Sequence, residues 1–134
     1  MTAFNLKIIT STGIKYDGPA ECIMVRSVVG DVSILAKHAD YVTAIGIGKA
    51  VITKDGNKRI AAANGGVLNV SKGEVTVLAS TFEWQDEIDL NRAHQSLERS
   101  KGIIENTHSD DKSIELAKLA IVRALIRINV KNEK

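Results

Sequence analysis

The residues best able to do chemistry are three histidines, one cysteine, a glycine-flanked lysine and four of the arginines. His38 falls in a turn-rich stretch, His94 in a helical one and His108 in a break between helices, with no metal-ligand spacing and no cysteine partner. Asp31, Ser33 and His38 could be drawn as a nucleophile system, but polar residues around a β turn are ordinary. Gly46-Ile47-Gly48-Lys49 lacks the first glycine of a phosphate loop, and Ala50 stands where a Ser or Thr would meet magnesium. Gly65-Gly66 reads as a bulge or a tight turn. Cys22 sits inside Cys22-Ile23-Met24-Val25 as a small buried hydrophobe. As the only cysteine it forms no internal disulfide, which points to a reducing compartment. The reading is of a chain with no catalytic residues, no metal site and no required cofactor, which works by docking onto larger partners.

The arginines carry more. Arg92 and Arg99 are seven apart, and Arg123 and Arg127 are four apart, so each pair shares a helix face. Guanidinium groups bind phosphate bidentately, and several that converge replace much of a polyphosphate's hydration. Both pairs lie away from the apolar seams of their helices, so spacing alone favours a solvated basic face.

The elements that must position these groups follow from a change of texture near residue 85. Before it, short β-branched runs alternate with turn residues every ~8–12 positions, as in a sandwich or barrel. The runs are Leu6–Thr10, Glu21–Arg26, Val32–Leu35, Tyr41–Ile47, Ala50–Thr53, Arg59–Ala63, Val67–Val70 and Glu74–Leu78, with Ser71-Lys72-Gly73 as a hairpin signal and Pro19 in a turn. After Trp84 the period becomes helical. Leu90, Ala93, Leu97, Ser100 and Ile104 form one stripe, and Ile114, Ala117, Ile121, Ala124 and Ile128 form the seam of a second helix. The break at 106–111 makes the two helices antiparallel neighbours. Leu116, Leu119 and Ile126 lie off the seam, so the second helix is apolar around much of its circumference; that face packs on the β domain, or it serves another protein or a second packing state. The fold class is α+β: an N-terminal antiparallel β-sandwich, residues 1–84, then a C-terminal two-helix antiparallel hairpin, residues 85–134.

Composition fits a soluble folded protein, with 44% apolar and 25% charged residues. A net charge of +2 creates no field that would draw nucleic acid or anionic lipid. No apolar stretch approaches the ~20 residues that span a bilayer, and the N-terminus has no signal-peptide pattern. A cytoplasmic location follows.

Several segments, in order along the chain, resemble one family. Ile88-Asp89-Leu90-Asn91-Arg92-Ala93 is similar to the I/L-D-x-x-R-A motif of bacterial ATP synthase epsilon subunits. Gly30-Asp31-Val32-Ser33-Ile34-Leu35-Ala36-Lys37-His38-Ala39 resembles that family's G-E-L-G-I-L-P-G-H-A. Asn64–Val70 resembles S-G-G-F-L-E-V, Val75–Ala79 resembles V-T-V-L-A, and Arg123–Val130 resembles R-A-x-x-R-L-x-V. Ala36, Lys37 and Asp40 depart from it, standing where proline, glycine and proline are usual.

The resemblance implies a non-catalytic subunit of the rotary central stalk, peripheral on the cytoplasmic face of the cell membrane. Its partners would be the gamma subunit and the membrane c-ring, and, in an inhibitory state, the catalytic alpha and beta subunits. The hairpin would fold on the sandwich or rise along gamma to block ATP hydrolysis. In some bacterial members ATP binds the folded hairpin as a regulatory ligand. The matching positions are Ile88, Asp89, Arg92, Ala93, Arg123 and Arg127, with Arg99 and Glu83 added from position and charge. The c-ring contact would come from the loop Gly30 to His38, with Asp31 and His38 as its residues. The other function weighed is a free-standing nucleotide-sensing module, which would not co-purify with gamma and the c-ring.

Overall fold

Alternation sets the first strand: Phe4, Leu6 and Ile8 point inward while Asn5 and Lys7 face out. The computed structural model describes residues 2–133. Its elements are strands β1 (Phe4–Thr10), β2 (Gly13–Ala20), β3 (Cys22–Ser27), β4 (Gly30–Leu35), β5 (Tyr41–Lys54), β6 (Asn57–Ser71) and β7 (Glu74–Trp84). A 3₁₀ turn (Gln85–Glu87) leads to helices α1 (Leu90–Glu105) and α2 (Asp111–Asn132). Two compact units result, Met1–Gln85 and Asp86–Lys134.

In the first unit the strands hydrogen-bond in the order β2-β1-β7-β6-β5-β3-β4. The long strands β5, β6 and β7 bend, so one continuous sheet supplies both layers of a sandwich around an aliphatic core that includes Leu6, Ile8, Ile23, Ile52, Leu68 and Val77. Every pairing is antiparallel except β1–β7, which is parallel from Leu6↔Val75 to Ile9↔Leu78. The expected antiparallel sandwich is thus mixed at one seam, because β7 returns beside β1 through the whole intervening meander.

Two hairpins turn on two residues each. Asp55-Gly56 (φ 53° and 77°) and Lys72-Gly73 (φ 50° and 80°) have positive φ at both centres, as a type I′ turn requires. Three sequence expectations are corrected here. Pro19 lies in β2, not in a turn; β2 is an edge strand, where a missing N–H is tolerated. Tyr41–Ile47 and Ala50–Thr53 are one strand, as are Arg59–Ala63 and Val67–Val70, since the glycines between them bend the strands without ending them. Gly65-Gly66 makes neither a turn nor a bulge, because the register from Asn64↔Thr81 to Gly66↔Ala79 is unshifted. Gly66, at φ 128°, lets β6 close on β7: an added Cβ would lie 1.9 Å from the Leu78 carbonyl oxygen.

In the second unit, α1 buries Ala93, Leu97 and Ser100, and α2 buries Ala117, Ala124 and Val130. Small residues at the seam let the two helices approach closely. Ile104, expected on the α1 stripe, is exposed. The link between helices is five residues, 106–110.

Candidate functional site

The start of α1 is built by the hexad Ile88 to Ala93. Asp89 is the N-cap, with extended backbone, and its carboxylate accepts a hydrogen bond from the Arg92 backbone N–H at 3.1 Å. Its own carbonyl accepts from Ala93 N at 3.0 Å. Ile88 precedes the cap and Ala93 follows four positions after it, the two positions of a hydrophobic staple, and both are buried. Ile88, Asp89 and Ala93 therefore have local work in fixing where and at what angle α1 begins. The Arg92 side chain is left to project outward.

The four arginines have a common geometry. On a wheel of ~100° per residue, Arg92 and Arg99 lie about 120–140° to one side of the Ala93–Leu97 line. Arg123 and Arg127 lie about 70–110° to the same side of the Ala117–Ala124 line. In an antiparallel pair, offsets of the same hand fall on the same face, so all four guanidinium stems flank one side of the hairpin. The buried small residues are spaced alike, Ala93 to Ser100 and Ala117 to Ala124. Setting Ala93 opposite Ala124 brings Arg92 level with Arg123 and Arg127, with Arg99 about 10 Å further along the axis. Arg92 and Arg99 are exposed, and Arg123 and Arg127 are half-buried. A face of this kind can hold several phosphate oxygens at once. Glu83 belongs to the first unit, in β7, paired with Ala62.

The other two site residues sit apart from each other. Asp31 is on β4, opposite Arg26 of β3, and its Oδ1 accepts from Arg26 Nε at 2.6 Å. His38 lies beyond the far end of β4, its backbone N–H donating to Leu35 O. Four strand residues, about 13 Å, separate Asp31 from Leu35. His38 Nδ1 hydrogen-bonds to Ala39 O at 2.7 Å, and the ring stands 5.7 Å from Tyr41. Asp31, Ser33 and His38 thus form no nucleophile system. Lys37 takes φ 64°, the left-handed conformation that glycine adopts most easily, and Asp40 Oδ1 accepts from Lys72 N at 2.9 Å, tying this loop to the β6–β7 turn. Among the described residues no group of three or more His, Cys, Asp or Glu could hold a metal ion. No described helix is long and apolar enough to cross a membrane.

Sequence reasoning missed an apolar row on the outer face of the sandwich. Register places Ile14 beside Ile9, Ile9 beside Leu78, Leu78 beside Val67 and Val67 beside Ala44, crossing five strands. Ile14, Val67, Leu78 and Ala44 are exposed, and Val28 and Val29 at the β3–β4 turn are 72% and 80% exposed. Exposed apolar residues set side by side in this way make the row a candidate interaction surface. The row exists only once strands are paired, so no one-dimensional signal carries it. On α2 the exposed apolar residues are Leu116, Leu119, Val122 and Leu125.

The family model for the ATP synthase delta/epsilon chain beta-sandwich domain matches residues 3–85, and that for its long alpha-helix domain matches residues 86–132. The chain belongs to the ATP synthase delta/epsilon family. It is 37% identical over 135 aligned residues to an ATP synthase epsilon chain of Ruminococcus albus, covering all of both chains. It is 37% identical to one of Bacillus velezensis over 130 residues, covering 97% of this chain and 98% of the other. In fold it matches a chain of the Euglena gracilis mitochondrial ATP synthase, with TM-score 0.82, 19% identity and coverage of 93% and 79%. A chain of the Tetrahymena thermophila central stalk and c-ring follows at TM-score 0.67, 12% identity and 96% coverage of both. Whole-chain identity at this level puts it with the bacterial F-type epsilon chains, non-catalytic subunits of the central stalk.

Proposed function

We propose that this stalk subunit couples ion-driven rotation to ATP synthesis through its β domain and restrains ATP hydrolysis through its helices. The observation that carries the second half is the exposed apolar set on α2: Leu116, Leu119, Val122 and Leu125, each 43–55% exposed. Water-facing leucines and valines at four places on one helix are costly unless another surface covers them in a second state, and the catalytic alpha and beta subunits are that surface. The apolar row from Ile14 to Ala44 supports a lasting contact with gamma. Asp31, held by Arg26, and His38 supply the polar contact with the c-ring, so the protein works peripherally at the cytoplasmic face of the membrane.

ATP is the regulatory ligand of the folded hairpin in this reading. Arg92, Arg99, Arg123 and Arg127 take the phosphates, and Ile88 and Ala93 line the seat of the base. Asp89 fixes the helix start. Binding only the closed hairpin stabilises that state by mass action, so ATP lifts the restraint. The experiment is to measure ATP hydrolysis by the parent complex with and without residues 85–134. Hydrolysis should rise on truncation while rotation-coupled synthesis persists; equal hydrolysis would end the inhibitory reading. Titration calorimetry of the whole chain tests ATP: no heat at millimolar ATP, or binding that survives both Arg92→Ala and Arg123→Ala, would remove the site.

A further inference from the structure

The last turn of α1 is weak in four independent ways. Gly102 sits inside the helix with a negative φ, and a Cβ added there meets nothing within 4 Å outside the helix's own backbone. Neither space nor conformation calls for glycine, yet its presence loosens the helix ~5-fold relative to alanine. The last turn holds no basic residue, and Glu105 places an anion at the negative end of the helix dipole. Burial also stops early: Ser100 is the last buried residue of α1, Ile103 is half-buried and Ile104 is exposed. The end itself is closed by Asn106 N–H donating to Gly102 O, with Asn106 in extended conformation in place of the left-handed glycine that caps many helices.

The facing end of α2 is made in the opposite way. Asp110 accepts from Ser113 N–H at 2.7 Å, its carbonyl accepts from Ile114 N, and Asp111 adds an anion to the positive first turn. One side of the link is secured and the other is loose.

The geometry points to residues 102–105 as the hinge on which the hairpin opens: this turn unwinds as a unit while α1 up to Ser100 and α2 from Asp111 stay helical. Unwinding lengthens the link from five residues to nine, raising its greatest reach from about 17 Å to about 30 Å. α2 can then turn its seam away from Ala93 and Leu97 without either helix body melting. The inference rests on the proposal that the hairpin opens, but the looseness of the turn is measurable without it.

Hydrogen exchange of the full chain, corrected for intrinsic rates, tests the turn. The amides of Ile103 to Asn106 should be at least ~10-fold less protected than those of Leu97 to Ser100 and of Ile114 to Ala117. Gly102→Ala combined with Glu105→Lys should raise protection at 103–106 by ~10-fold and leave 113–124 unchanged. Equal protection in the native chain, or no response to the double variant, overturns the hinge. In the parent complex the double variant should lose part of the restraint on hydrolysis that residues 85–134 impose. Full restraint with a stiffened turn also overturns it. A complex whose hydrolysis ignores residues 85–134 altogether would instead refute the inhibitory reading, and exchange would still decide the hinge.

Discussion

Replacing Gly66 with alanine puts the packing of the sandwich corner under test. The new Cβ would lie 1.9 Å from the Leu78 carbonyl oxygen and 2.8 Å from Ala79 Cα, both backbone atoms of the paired strand. Backbone cannot rotate away as a side chain can, so β6 and β7 must separate by more than an ångström beside buried Leu68 and Val77. The φ of 128° adds strain of about 1–3 kcal/mol for a residue with a side chain. The overlap adds about 1–3 kcal/mol more. A combined cost of about 2–6 kcal/mol in a domain of this size lowers Tm by about 10–40 °C. Gly46→Ala is the control: its nearest neighbour would be 3.9 Å away and its φ is not positive, so the change should stay within about 0.5 kcal/mol. Thermal unfolding of the two variants by circular dichroism reads the difference. A Gly66→Ala chain that melts within ~2 °C of Gly46→Ala would refute the close approach of β6 and β7.

Asp110 carries a pH signature. Its hydrogen bonds from Ser113 hold the carboxyl below its ordinary value of 3.8, so the cap's contribution is complete above that value and is lost as pH falls through the lowered one. Hairpin helicity should therefore decline in acid, and Asp110→Ala should show less of that decline and lower helicity at pH 7. Arg26 and Asp31 are a half-exposed ion pair, so a double-mutant cycle should give a coupling of about 0.5–1 kcal/mol that shrinks in 1 M salt. Cys22 is half-buried and its thiol is pushed up by burial, so it should react with a disulfide reagent at pH 8 more slowly than a small free thiol.

How much of this was legible in the sequence depended on whether a feature is local. The inward alternation of Phe4, Leu6 and Ile8, the hairpin turn at Lys72-Gly73 and the helix start at Asp89 all depend on near neighbours, and all can be read. The continuity of β5 and β6 cannot. Gly46, Gly48, Gly65 and Gly66 interrupt the pattern in one dimension, while the unshifted pairing of β6 with β5 and with β7 carries the strands through them. Pro19 reads as a turn until β2 is known to be an edge. Of the candidate site, the arginine spacing was visible, but their shared face required both the antiparallel pairing and the positions of the small buried residues. Asp31 and His38 are near in number and yet lie at opposite ends of a strand. Val122 and Leu125 joined the exposed set on α2 only when the seam was fixed.

The apolar row from Ile14 across Ile9, Leu78 and Val67 to Ala44 also bears on how much of this protein a cell can keep. A copy made in excess of its partners presents that row, and the valines at 28 and 29, to water. Two such copies can cover each other only by a contact that leaves each useless for assembly. Supply must therefore match that of the rest of the complex, and surplus chains become substrates for self-association or proteolysis. Purified alone, the chain should sediment faster as its concentration rises, and Leu78→Lys should keep it monomeric without lowering its melting temperature.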